Sequence, residues 1–78
     1  MKDFVLYLVK SIVDQPEMVK IQEEESAEQM TIKLTVAKED MGKVIGRSGK
    51  IIKAIRNLIR IKAIKEEKRV NLELVESE

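Results

Sequence analysis

Val44-Ile45-Gly46-Arg47-Ser48-Gly49-Lys50-Ile51-Ile52 decides how this chain is read. It is a Gly-x-x-Gly turn between apolar flanks, with Arg47 at its second position and Lys50 just after its end. Glycine permits positive φ and the close approach of another backbone. A helix that starts after such a turn presents N–H groups and a partial positive charge, which favour a phosphate. Arg47 adds a planar fork suited to bidentate contact, and Lys50 adds a point charge. Val44 and Ile45 are expected to hold the turn on the core.

The charge around the turn is one-sided. Residues 41–65 carry eight cations (Lys43, Arg47, Lys50, Lys53, Arg56, Arg60, Lys62, Lys65) and no carboxylate. Residues 1–40 sum to −4 and residues 66–78 to −3, so the net charge of +1 hides a concentrated positive block. A partner responds to that local field rather than to the total.

Seventy-eight residues make one small domain, expected to span 1–78 with its glycine loop at 46–49. A chain of this size buries only about 60% of its unfolded surface, so its core is thin unless well packed or shared. Cysteine and histidine are absent, which removes disulfides, thiolate metal sites and the commonest general base. No catalytic residue, metal or cofactor is expected. No stretch approaches the length of a membrane span. Phe4 to Val9 is too short for a signal-peptide core and follows Asp3. The expected location is cytoplasmic.

Outward from the turn, periodicity sets the elements. Asp3 to Val13 reads as a helix with apolar residues on more than one stripe, a surplus that points to burial of a second face, within the chain or by another subunit. Asp14-Gln15-Pro16-Glu17 breaks it. Met18–Gln22 and Met30–Val36 alternate as a β-hairpin around an acidic turn at Glu23–Gln29. Glu39 and Asp40 suit the positive end of a short helix, Asp40 to Ile45. A longer helix runs from about Gly49 to Ile61 or Ala63. Its apolar face holds Ile51, Ile52, Ile55, Leu58 and Ile59; Lys50, Lys53, Arg56, Asn57 and Arg60 share the other. Arg69–Val75 alternates as a last strand. The flanks of the loop, or the hairpin's second strand, are expected to floor a groove for bases.

By itself the Gly-x-x-Gly spacing also suits a plain helix–helix turn, and a lysine-rich face is most often only solvated. The coincidence of spacing, one-sided charge and element order points to RNA or another single-stranded nucleic acid. Other glycine motifs fail: a Walker A loop needs glycine at Val44 and Ser or Thr at Ile51. Ser48 has no histidine to activate it.

The stretch from Val44 to Ile52 resembles the K-homology (KH) domain signature, and the α-β-β-α-α-β order resembles the prokaryotic type II form of that fold. The likeness extends to Asp14-Gln15-Pro16-Glu17, Asp40-Met41-Gly42-Lys43, Ala54-Ile55-Arg56 and Glu67-Lys68-Arg69-Val70. Lys38 departs from it, since relatives often carry proline there. Such a stand-alone chain is similar to the small bacterial RNA-binding KhpA family. The resemblance implies an α+β fold with three helices on one face of a three-stranded mixed sheet. It implies a GxxG clamp on about four nucleotides of single-stranded RNA, with Lys43, Val44, Ile45, Gly46, Arg47, Ser48, Gly49, Lys50, Lys53 and Arg56 as site residues. It further implies homodimers, or heterodimers with a second KH protein of the KhpB (Jag) type, and a role as RNA chaperone or regulator in cell shape and cell-wall control.

Two features qualify that mechanism. Phe4 and Tyr7 are the only aromatics and lie on the first helix, so base stacking on aromatic platforms is not expected. Ala54, Leu58 and Ile61 form an apolar strip at the edge of the core stripe, the expected dimer contact; otherwise the helix ends near Arg60 and they pack in the following turn. A protein-interaction module is therefore the alternative reading.

Overall fold

The computed structural model describes residues 1–76. Helix α1 (Lys2–Lys10) buries Val5 and Val9, an i,i+4 pair, completely. It is shorter than the expected Asp3–Val13. Ser11 donates both its N–H and its hydroxyl to the Tyr7 carbonyl, and the N–H groups of Ile12 and Val13 turn to Val9, at 3.0 and 3.2 Å. Pro16 then opens one 3₁₀ turn, Pro16–Met18. The apolar surplus of α1 is largely used inside the chain. Phe4 and Leu6 pack partly against the core, whereas Tyr7 stays 73% exposed.

The hairpin is β1 (Lys20–Glu25) and β2 (Met30–Val36), antiparallel, in a register running from Lys20 opposite Thr35 to Glu25 opposite Met30. The expected acidic turn is thus tighter than its composition implied. Glu23, Glu24 and Glu25 are strand residues, because β1 is an edge strand and its carboxylates reach water. The turn itself is closed by Ser26, whose N–H and hydroxyl both donate to the Gln29 carbonyl, at 2.8 and 2.9 Å.

After β2 a 3₁₀ turn (Lys38–Asp40) leads into α2 (Met41–Ile45), the loop, and α3 (Lys50–Lys65). The chain then returns as β3 (Val70–Glu76), parallel to β2. The strand order is β1-β2-β3. A parallel neighbour requires a crossover of a dozen or more residues, and α2 and α3 supply it. One face of the sheet is covered: Ile32, Leu34 and Val36 of β2 are fully buried, joined by Leu72 of β3 and by Val44, Ile52, Ile55 and Ile59 from the helices. The other face carries Thr31, Lys33, Thr35, Asn71 and Glu73. There a hydrogen bond and ion pair with Glu24, 3.0 Å away, hold the Lys33 ammonium above the usual lysine range. The fold is α+β, with three helices on a three-stranded mixed sheet.

Helix α3 ends in a Schellman motif. Lys68 N–H reaches the Ala63 carbonyl and Glu67 N–H reaches Ile64, which forces Glu67 to φ 56°. Glycine usually takes that position; here a glutamate bears the conformational cost.

Candidate nucleic-acid interface

The loop between α2 and α3 is shaped by three residues at positive φ. Gly46 lies at φ 76°, ψ 173°, a region that is essentially closed to other residues. Ser48 follows at φ 56° and Gly49 at φ 73°. The two glycines are not equivalent. A Cβ on Gly46 would stand 2.2 Å from Ile51 Cγ1, while one on Gly49 would meet nothing within 4 Å. Gly46 is the site of close packing, and Gly49 serves only to reverse the chain.

The amides are partly committed. Gly49 N–H donates to the Gly46 carbonyl at 3.1 Å, and Lys50 N–H turns to Arg47. The open start of α3 expected from the sequence is therefore narrower. The amides of Arg47 and Ser48 have no acceptor among the described residues. They sit on the exposed tip beside the exposed Arg47 and Lys50 side chains, so the loop offers two donors and two cations to an anion.

The structure separates the other expected site residues. Val44 is wholly buried, so it anchors α2 and makes no ligand contact, while Ile45 is 37% exposed beside the loop. Lys43 lies on α2 and pairs with Asp14, reaching across from the α1–β1 connection. Lys53 and Arg56 are exposed on α3, which runs through Ile61 to Lys65, longer than expected. This helix has three faces. Ile52, Ile55, Ile59 and Ala63 form the core face. Lys53, Arg56 and Arg60 are solvent-exposed on one side. Ile51, Ala54, Leu58 and Ile61 form the third face, with Leu58 43% and Ile61 55% exposed. Ile51 and Leu58 are thus only at the edge of the core stripe to which their spacing assigned them.

Arg56 and Arg60 line a shallow groove of about 200 Å³ with Ile59, Val70, Asn71 and Leu72. Its apolar floor comes from α3 and β3. The hairpin's second strand does not contribute, because β2 is central and its inward side chains are sealed beneath the helices. Asn71, Val70 and Leu72 are residues that the sequence reading missed as groove candidates; the parallel crossover, which brings β3 alongside α3, was the signal for them. Arg60 Nη2 donates to Asn57 Oδ1 at 2.6 Å, which orients the guanidinium on the groove wall. A larger hollow of about 350 Å³ lies beside the turns 25–30 and 67–69. It adjoins the far end of α3, roughly 24 Å along the helix from the loop, and its lining mixes Glu25, Glu28 and Glu67 with Lys68 and Arg69.

Neither aromatic approaches the loop from the groove side. Phe4 lies under Lys62 Nζ, 5.3 Å from its ring centre, and Tyr7 points to solvent from α1. No group of three or more potential metal ligands occurs among the described residues, and no helix there is long and apolar enough to cross a membrane.

Comparison with known proteins agrees with this geometry. A profile described as the KhpA/KhpB KH domain matches residues 2–74. The RNA-binding protein KhpA of Listeria monocytogenes is 47% identical over 76 residues, covering 97% of this chain and all of that protein. KhpA of Chlamydia caviae is 46% identical, covering 97% of each chain. KhpA of Clostridium perfringens is 47% identical over 75 residues, covering 96% of this chain and all of its own. With its loop, its element order and its full-length likeness in agreement, the chain belongs to the KhpA/KhpB family of KH domains.

Proposed function

We propose that the chain binds single-stranded RNA, with the loop at 46–49 clamping the sugar–phosphate backbone. The observation that carries this is the loop itself: two amides without acceptors among the described residues and two cations at one exposed tip, beside a groove walled by Arg56 and Arg60. Phosphate is met by Arg47, Ser48 and Lys50, and the field is extended by Lys43 and Lys53. Bases lie against Ile59, Val70 and Leu72, with the β3 backbone at Asn71 bordering the groove. Without aromatic stacking, one site gives modest affinity and modest sequence preference. The reading extends to a role as RNA chaperone or post-transcriptional regulator; its link to cell shape and the cell wall rests on the resemblance alone.

Arg47→Asp with Ser48→Asp places two anions in the clamp. Fluorescence anisotropy with a labelled single-stranded RNA should show binding at least about tenfold weaker, with the fold intact by circular dichroism; like charges at a phosphate site cost at least this much. Binding by the folded double variant that equals wild type would remove the clamp. Wild-type affinity should also fall roughly 50-fold between 50 and 200 mM salt, as about four phosphate contacts release counterions.

The exposed strip Ile51, Ala54, Leu58 and Ile61 favours a second, compatible reading as a pairing surface, for another copy or for a KhpB/Jag-type KH protein. Two copies would also raise avidity for RNA. Ile61 is more than half exposed, so Ile61→Asp should leave the fold intact. Sedimentation should show a dimer for wild type and a monomer for the variant. A monomer in both cases rules out the homodimer.

A further inference from the structure

The loop and α3 cations are mostly free of carboxylates. Among the described residues, Lys43 is the one of Lys43, Arg47, Lys50, Lys53, Arg56 and Arg60 that has a carboxylate partner. That partner, Asp14, comes from outside the positive block, and it is held there by a separate device. The Asp40 carboxylate is 1% exposed and accepts the backbone N–H groups of Asp14, at 3.1 Å, and Gln15, at 3.0 Å. Gln15 Nε2 adds a 3.3 Å hydrogen bond to Glu39. The α1–β1 connection is thereby fastened to the start of α2. Most surface ion pairs lose what they gain to the entropy of two mobile side chains. Here the backbone of one partner is already fixed, and Asp14 has only a short side chain to order.

We infer that Asp14 is a built-in competitor of RNA phosphate, occupying Lys43 in the free protein and so setting the affinity and salt response of the clamp. This rests on the RNA-binding reading above. A phosphate that reaches Lys43 must displace the Asp14 carboxylate, and after displacement Asp14 remains as a nearby like charge. Neutralising Asp14 therefore frees one cation for the ligand and removes one repulsion. The side chain is 73% exposed, and Asp40 grips the backbone of Asp14 rather than its carboxylate, so Asp14→Asn keeps the fold.

The test is a double-mutant cycle of wild type, Asp14→Asn, Lys43→Gln and the pair, with a labelled single-stranded RNA across a salt series. Asp14→Asn should tighten binding about threefold to fivefold at low salt, the scale of one surface charge pair. Its salt slope should steepen by about 0.7, one additional phosphate contact on a single strand. In the Lys43→Gln background the same substitution should change affinity less than about twofold. Unchanged affinity and slope in Asp14→Asn, with wild type binding normally, would overturn the inference and leave the clamp standing. Equal tightening with and without Lys43 would also overturn it, by showing Asp14 to act as a diffuse charge. Absence of RNA binding in all four proteins would overturn the clamp and this inference together.

Discussion

Gly46→Ala is expected to destabilise the fold by about 3 kcal/mol, from a strained φ/ψ worth ~1–3 kcal/mol and overpacking of similar size. The added Cβ would fall 2.2 Å from Ile51 Cγ1 and 2.9 Å from the Ile51 backbone nitrogen. Ile51 lies in the first turn of α3, and its backbone nitrogen is among the atoms met, so relief requires a shift of the helix start and not merely a rotamer change. A domain of this size has a stability of about 4–12 kcal/mol at typical per-residue values, so the loss is a large share of it. Gly49→Ala is the control. Its φ of 73° comes with ψ 16°, the left-handed region that other residues can enter, and its Cβ meets nothing within 4 Å, so the expected cost is only about 1 kcal/mol. Urea denaturation of both variants measures the contrast. Equal losses would show that neither the closed backbone region nor the contact to Ile51 costs more at position 46 than an ordinary left-handed residue does.

The second large effect concerns a carboxylate just before α2 whose partners lie 25 and 26 residues earlier in the chain. Asp40→Ala should cost about 3 kcal/mol, since it strands two N–H groups that the buried carboxylate now satisfies through charge-assisted hydrogen bonds. Asp40→Asn keeps the shape and one acceptor oxygen, and should lose about half as much. Hydrogen exchange gives a local readout: the amides of Asp14 and Gln15 should lose protection in the alanine variant, while those of β2 follow only the global change. If both amides stay protected in a folded Asp40→Ala protein, water or another group replaces the carboxylate and the cost will be small.

Most of the fold was legible in the sequence where a single period governed a segment. The alternation Met30-Thr31-Ile32-Lys33-Leu34-Thr35-Val36 gave the central strand directly. Gly46 and Gly49 gave the turn between α2 and α3. The reading faltered where tertiary contacts outvote local pattern. The carboxylate of Asp40 looked like a charge for a helix dipole, because nothing local reveals that the backbone of Asp14 and Gln15, 25 or more residues away, bonds to it. Glu23, Glu24 and Glu25 looked like a turn, because strand propensity undervalues carboxylates that an edge position leaves in water. Val44 faces the core as its apolar character implies, and only the family resemblance places it among the contact residues. The sequence offered the loop flanks or β2 as a groove floor, and the groove beside α3 is lined by β3 instead, because periodicity predicts strands but not their order in the sheet.

The parallel pairing of β3 with β2 also fixes when the protein becomes competent during its synthesis. The hairpin joins residues close in the chain and can form early, and the glycine turn is made well before the end. The floor of the groove, however, needs Val70 and Leu72, and β3 is the last of the six helices and strands to leave the ribosome. A nascent chain stalled before Val70 would already carry its cations and its loop, with no finished surface behind them. On the proposed RNA-binding reading, a half-made copy is a poor competitor for a messenger, and pairing of β3 with β2 is the step that completes the binding surface.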